Sequence, residues 1–145
     1  MIDLWRVQYP PDVFPSLWAK IESLVHNKEM ASPKEVLREL ASKDDELLRW
    51  VKIRDIKKMF KTIDREQQNH VSNILGRFPD LIDQYAMVGA DPFVIALAMS
   101  RGWTVITSER PANPGGRPKI PDVCKAYNIK CVGLLGFFRE KNWNF

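Results

Sequence analysis

The sequence predicts an α/β fold with a central parallel sheet, and the last third of the chain carries this prediction. Four segments follow one another there: a helical pattern from Asp91, a β-branched run at 103–107, a helical pattern at 120–129 and an apolar run at 130–134. Helices that alternate with strands in this way give parallel pairing through right-handed crossovers. The chain has 145 residues, 45% of them hydrophobic, and is predicted to form a single domain over residues 1–145.

Two helices are predicted in the first part of the chain. The segment 12–30 carries apolar residues at helical spacing. The segment 32–42 starts with Ser32 as an expected N-cap, Pro33 as the first helical residue and Glu35 closing a capping box.

Three more helices are predicted before the first strand. The segment 44–60 has acidic residues at its start and lysines in its later turns, as the helix dipole favours. The segment 64–78 has a periodic core face formed by Val71, Ile74, Leu75 and Phe78. A further helix is expected to take Asp91 as its N-cap and to end at Gly102, a residue type common at helix ends.

The strand and loop that follow suggest where a ligand binds. The run WTVIT at 103–107 is rich in aromatic and β-branched residues and is predicted to be buried on both faces. The loop 108–119 is long and rich in proline, glycine and charge, which is unusual inside a compact domain without a function. Ligands of parallel sheets bind beyond the carboxyl ends of the strands. Glu109 and Asp91 are both expected at that edge, so they are predicted to share a site.

The bulk properties bound the function only loosely. Cys124 and Cys131 match no zinc or disulfide spacing and are expected to be free thiols. The net charge of +4 indicates a mild preference for anionic partners. No apolar run reaches the roughly 18 residues of a membrane span, and the N-terminus lacks a signal-peptide pattern. A cytoplasmic location without membrane association is therefore expected.

Three blocks of the sequence together resemble a known family. These are SPKEVLREL at 32–40, GADPFVIALA at 89–98 and TVITSER at 104–110, with a KIPDVC…GLLGFFREKNW tail. Over about residues 4–145 they resemble the PIN domain family of metal-dependent nucleases and a PIN-like branch with such a tail. The resemblance implies a PIN-like three-layer sandwich, in which a mostly parallel sheet is flanked by helices. It also implies acidic residues that hold Mg²⁺ or Mn²⁺.

The resemblance assigns metal-binding and catalytic roles to Glu39, Asp91 and Glu109. Phosphodiester hydrolysis needs charge stabilised on the attacking and leaving oxygens, and hard divalent ions with oxygen ligands suit that need. Each residue also has an ordinary explanation. Asp91 can be a helix cap, Glu39 a half-exposed helical residue with Glu35 as its rival, and Glu109 a solvated loop charge.

The chain departs from the family pattern at its start. PIN domains usually begin with a strand of the form apolar–Asp–Thr/Ser–Ser, whereas this chain begins MIDLWRVQYPP. Asp3 is the candidate substitute for the missing Asp. A late start codon, a shortened chain and a degenerate relative are all open explanations. The predicted sheet therefore lacks or replaces its first strand, and a rearranged sheet or a homo-oligomer would cover the exposed edge.

The predicted function follows from the resemblance. An Mg²⁺- or Mn²⁺-dependent endoribonuclease, acting as the toxin of a toxin–antitoxin pair, would bind RNA and a protein antitoxin. The alternative is an inactive PIN-like module that binds RNA or protein. The residues predicted to contact RNA phosphates are Lys57 and Lys61 in a basic band, and Ser108, Arg110, Arg117 and Lys119 in the loop.

Overall fold

The structure is a computed structural model that describes residues 9–43, 45–53, 55–82 and 89–145. These residues form a mixed α/β arrangement of helices and short parallel strands, as the sequence predicts. They divide into two compact units. The N-terminal unit comprises the residues up to Thr62 together with Phe145, and the C-terminal unit comprises Ile63–Asn144. Within the described ranges, no helix has the length and apolar character that a membrane crossing requires.

The N-terminal unit is built around helices. Its elements are α1 (Pro15–His26), β1 (Ser32–Pro33), α2 (Lys34–Lys43), α3 (Asp45–Ile53), a 3₁₀ turn (Ile56–Met59) and β2 (Phe60–Lys61). Pro15 opens α1, where its missing N–H leaves no helical hydrogen bond unmade. The buried core cluster consists of Val25, Leu40, Val51, Ile56, Met59 and Phe60.

The start of α2 differs from the prediction. Ser32 and Pro33 pair in parallel with Phe60 and Lys61, so their backbones are extended. The helix begins only at Lys34. The predicted N-cap at Ser32, helical start at Pro33 and capping box are therefore wrong, because a strand pairing takes the place of the first helical turn.

The predicted helix at 44–60 is also shorter than expected. The helix α3 ends at Ile53, and Asp55 adopts a left-handed conformation with φ of 58°, which an α-helix cannot continue through. Ile56, Met59 and Phe60 are all buried, but they belong to a 3₁₀ turn and a strand and not to a continued helix. Consequently Lys57 lies in the 3₁₀ turn and Lys61 in β2, not in one basic helix.

The C-terminal unit combines helices with the second pair of parallel strands. Its elements are α4 (Arg65–Arg77), a 3₁₀ turn (Pro79–Leu81), α5 (Asp91–Arg101), β3 (Val105–Ile106), α6 (Ile120–Ala126), β4 (Cys131–Val132) and α7 (Leu134–Glu140). The core cluster of buried residues consists of Val71, Ile74, Leu81, Ile95, Ala96, Ala98, Val105, Ile120, Val123 and Cys124. Leu75 and Phe78 pack against this core, which confirms the predicted inner face of α4.

Helices α4 and α5 pack antiparallel. Asp64 caps α4 by accepting a 2.8 Å hydrogen bond from the backbone N–H of Gln67. The Gln67 side chain in the first turn of α4 donates to Ser100 Oγ, in the last turn of α5, at 3.1 Å. The C-terminal end of α4 therefore lies beside the N-terminal end of α5.

The ends of α5 agree only partly with the prediction. Ala90 is the N-cap, so the prediction of Asp91 as the cap is wrong, and Asp91 is instead the first helical residue. Pro92 is buried beside it in the first turn. Gly102 ends the helix with φ of 63°, which confirms the predicted stop.

Strands β3 and β4 confirm the predicted parallel pairing. Val105 pairs with Cys131 and Ile106 with Val132, and the N–H of Thr107 donates to the Val132 carbonyl at 3.1 Å. The strand is shorter than the predicted 103–107. Val105 is buried but Ile106 only half-buried, so burial on both faces is only partly realised.

Candidate functional site

The candidate site is the edge of the C-terminal unit at the carboxyl end of β3. Helix α5 packs against β3 and joins it through the short connection 102–104, so the helix and the strand run in opposite directions. Asp91, at the N-terminus of α5, therefore lies at the same end as Glu109, which follows the last residue of β3. The directions of α5 and β3 thus assign both residues to this end of the unit. Asp91 is half-buried and Glu109 is exposed.

Glu109 makes specific contacts at this edge. Its Oε2 accepts a hydrogen bond from the backbone N–H of Ile120 at 3.0 Å, and its own N–H donates to Thr107 Oγ1 at 3.1 Å. Burial raises the pKa of the Cys131 thiol, its hydrogen bond with Cys124 opposes this, and the charge of Glu109 raises the pKa further. The carboxylate thus holds the beginning of the loop against the start of α6.

A second carboxylate, not singled out from the sequence, holds the same loop. Asp122 Oδ2 accepts backbone hydrogen bonds from Ala112 at 2.9 Å and from Lys119 at 2.8 Å. The amides of Ala112 and Lys119 hold the pKa of Asp122 below its usual value of 3.8. The local signal in the sequence is that Asp122 follows a proline in the first turn of a helix. A carboxylate is favourable there because it can accept hydrogen bonds from backbone N–H groups that have no partner within the helix.

The predicted RNA-contacting residues of the loop differ in what they do. Arg117 donates from Nε to the Asp80 carbonyl, and from Nη2 to the Leu81 carbonyl at 3.4 Å. Its guanidinium therefore ties the loop to the 3₁₀ turn that follows α4. Three further residues of the loop are exposed, namely Ser108, Arg110 and Lys119.

The remaining predicted residues belong to the N-terminal unit. Glu39 is half-buried in α2, and Lys57 and Lys61 are exposed. Glu35, the rival of Glu39, pairs through Oε1 with Arg38 at 3.6 Å, while its Oε2 is buried and accepts no hydrogen bond from any described residue. Asp3 lies outside the described residues.

Comparison with known proteins identifies the family. The family model described as "Domain of unknown function (DUF4411)" matches residues 1–145. The chain belongs to the DUF4411 family. No curated protein and no solved structure matched it.

The donor chemistry at the carboxyl end of β3 in this DUF4411 chain fits a hard cation. Asp91 and Glu109 would offer only carboxylate oxygens, the ligands that Mg²⁺ and Mn²⁺ prefer. Among the residues that the structure describes, no three His, Cys, Asp or Glu side chains form a group that could hold a metal ion.

Sequence reasoning also missed an arginine–aromatic cluster in this DUF4411 chain. Arg77, the last residue of α4, lies over the rings of Phe78 and Tyr127. Neither the periodicity of α4 nor the short pattern of α6 indicates the contact of Arg77 with Tyr127, because these two residues are far apart in the chain. Both aromatic residues also pack against the core of the C-terminal unit.

Proposed function

We propose that this DUF4411 member is a PIN-type endoribonuclease that depends on Mg²⁺ or Mn²⁺ and hydrolyses RNA phosphodiester bonds. The observation that carries the proposal is the position of Asp91 and Glu109 at the carboxyl edge of β3, where parallel sheets bind their ligands. The resemblance of the three sequence blocks to PIN nucleases supports it, as does the basic net charge of +4. The proposed architecture is the PIN-like three-layer sandwich.

The proposal gives each acidic residue a role at the substrate. Glu39, Asp91 and Glu109 would hold the divalent cation, which supplies charge stabilisation and an activated water when bound. A negative charge at Asp91 is favourable because it lies in the first turn of an eleven-residue helix. The proposed partners are RNA and a protein antitoxin, with the protein acting as a toxin in the cytoplasm.

The test is RNA cleavage by the purified chain with Mn²⁺ and with EDTA. We expect cleavage of single-stranded RNA only with the metal, and its loss in Asp91→Asn and in Glu39→Gln. Glu66→Gln is the matched control, because Glu66 is an exposed helical carboxylate outside the proposed site. The heat of Mn²⁺ binding, measured by isothermal titration calorimetry, should disappear in Asp91→Asn. Absence of both metal binding and cleavage in the unmodified chain would refute the nuclease.

A second candidate is a PIN-like module that binds RNA without cutting it. The observation that favours it is the hydrogen bond from Ile120 to the Glu109 carboxylate, since that oxygen already stabilises the loop. This candidate predicts RNA binding that EDTA leaves unchanged, without cleavage under any metal condition. Glu109→Gln would then lower the stability of the loop only slightly, since Gln still offers an oxygen to the Ile120 amide. The affinity for RNA would stay within about twofold.

A further inference from the structure

The arginine–aromatic cluster of the C-terminal unit has a defined geometry. The Arg77 Cζ lies 5.4 Å from the ring centroid of Phe78 and 5.2 Å from that of Tyr127. The two rings are 6.3 Å apart in an edge-on arrangement. Tyr127 Oη donates to the Asn73 carbonyl of α4 at 3.4 Å. The two rings thus hold the guanidinium in place between α4 and the end of α6.

No described residue accepts a hydrogen bond from the guanidinium of Arg77. Arg77 is exposed, and within the described ranges its guanidinium donates to no carboxylate or carbonyl. Cation–π contact engages the charge over the rings, whereas the five N–H donors lie in the guanidinium plane. These donors form a fork that matches a phosphate bidentately. Arg77 therefore combines a fixed position with donors that are not engaged by any residue the structure describes.

The location of the cluster connects it with the candidate site. Because α4 and α5 are antiparallel, Arg77 lies at the same end of this helix pair as Asp91. Arg117 adds a second cation nearby, since it contacts the carbonyls of Asp80 and Leu81 just beyond Phe78. The exposed side chain of Asp80 adds an opposing charge to this region.

We propose that Arg77, Phe78 and Tyr127 form a binding site for one phosphodiester and the adjacent base of single-stranded RNA. The phosphate accepts from the guanidinium edge, and the base stacks on its outer face, as bases do on arginine planes. The assignment of RNA as the ligand rests on the proposed function, whereas the site itself rests on the geometry of the cluster.

Two simpler explanations make different predictions. A basic residue in the last turn of a helix is favourable because of the helix dipole, but any cation would serve that purpose. An acidic peptide would satisfy the guanidinium edge, but it would not use a planar stacking surface. Single-stranded RNA uses both the donors and the plane, so lysine cannot replace Arg77 fully.

The experiment measures the affinity of the full chain for a fluorescent single-stranded RNA by anisotropy in EDTA, where a metal-dependent nuclease cannot cut. We expect Arg77→Ala and Tyr127→Ala each to raise Kd by roughly tenfold, in line with the loss of one stacked base. Arg77→Lys should keep the dependence on salt but still weaken binding by about fivefold. Tyr127→Phe keeps the ring and should stay within about twofold.

Arg65→Ala is the matched control, because Arg65 is an exposed arginine at the opposite end of α4 with no aromatic contact among the described residues. Circular dichroism and thermal unfolding of each variant show whether it is folded. Equal effects of Arg77→Ala and Arg65→Ala, or full rescue by Arg77→Lys, would overturn the proposal. Equal competition by a polyglutamate peptide would overturn the assignment to RNA. Binding that depends on Arg77 without any Mn²⁺-dependent cleavage would refute the nuclease alone.

Discussion

Replacing Asp122 with alanine tests whether side-chain hydrogen bonds hold the loop at 108–119. The substitution removes the acceptor of two backbone donors, at 2.8 and 2.9 Å. A hydrogen bond to a charged acceptor contributes about 1.5–3 kcal/mol net when it is shielded from water, and a first-turn cap about 1 kcal/mol. Since water partly replaces both bonds at this half-exposed site, we expect the free energy of unfolding to fall by about 1–2 kcal/mol.

Two measurements check this expectation at neutral pH. Urea unfolding reports the free energy, and trypsin reports the loop itself. The bonds after Arg110 and Arg117 precede proline and resist trypsin, so Lys119–Ile120 is the cleavable bond that follows the loop. Cleavage there should become faster in Asp122→Ala. Asp80→Ala is the control, because its exposed side chain accepts no hydrogen bond from the described residues.

The pH dependence of the same substitution has a definite sign. The amides of Ala112 and Lys119 lower the pKa of Asp122 in the folded chain below its usual 3.8. A lowered folded-state pKa stabilises the protein above the unfolded-state value and loses this effect as the pH falls through the folded-state value. The stability difference between the unmodified chain and Asp122→Ala should therefore be constant from pH 6 to 8 and shrink below about pH 4. Identical trypsin rates, or a difference that grows in acid, would refute the reasoning.

Two further predictions concern glycines and thiols. Gly76→Ala in α4 should raise the free energy of unfolding by about 0.5–1 kcal/mol, because alanine favours the helix more than glycine does. The new Cβ would have room, since no atom outside the backbone of the helix lies within 4 Å of it. Gly116→Ala should destabilise the loop, because its Cβ would lie 2.9 Å from the Asn113 carbonyl oxygen. Equal urea midpoints for Gly76→Ala and Gly116→Ala would contradict these two predictions. Burial raises the pKa of Cys124 to about 12, so Ellman's reagent at pH 8 should modify it far more slowly in the folded chain than in urea. Mass spectrometry identifies the modified cysteine. Rapid modification of Cys124 in the folded chain would contradict the prediction, because it would show that the thiol is accessible.

The elements that the sequence predicts well are those specified by neighbouring residues. The predicted helix at 64–78 agrees with α4 within a residue at each end, because the cap at Asp64 and the periodic core face are both local signals. Gly102 likewise ends α5 as expected, because only its own backbone conformation is involved. Local chemistry was sufficient for these boundaries.

The elements that the sequence predicts poorly depend on distant partners. Ser32 and Pro33 have the local appearance of a helix start, yet Phe60 and Lys61 pair with them as a strand. Nothing near Ser32 in the chain indicates that partner. The left-handed conformation of Asp55 ends the predicted helix 44–60 early, and the lysines that were expected in its later turns lie in a 3₁₀ turn and a strand.

The candidate site shows the same division. The prediction that Asp91 and Glu109 share one edge follows from the order of helix and strand, which the sequence pattern indicates. The hydrogen bond of Glu109 with Ile120 depends on how the loop closes, and no pattern of residue types shows it. The cation–π contact of Arg77 with Tyr127 is equally non-local.

The shortness of the strands has a consequence for how the protein fluctuates. Strands β3 and β4 each contribute only two residues to their ladder, whereas the middle of α5 is fully hydrogen-bonded and buried at Ile95, Ala96, Leu97 and Ala98. Amide hydrogen exchange should therefore be slowest in α5 and fast in the ladder, because so few bonds must open there. The backbone beside Glu109 would then open and reclose many times while the helices stay intact.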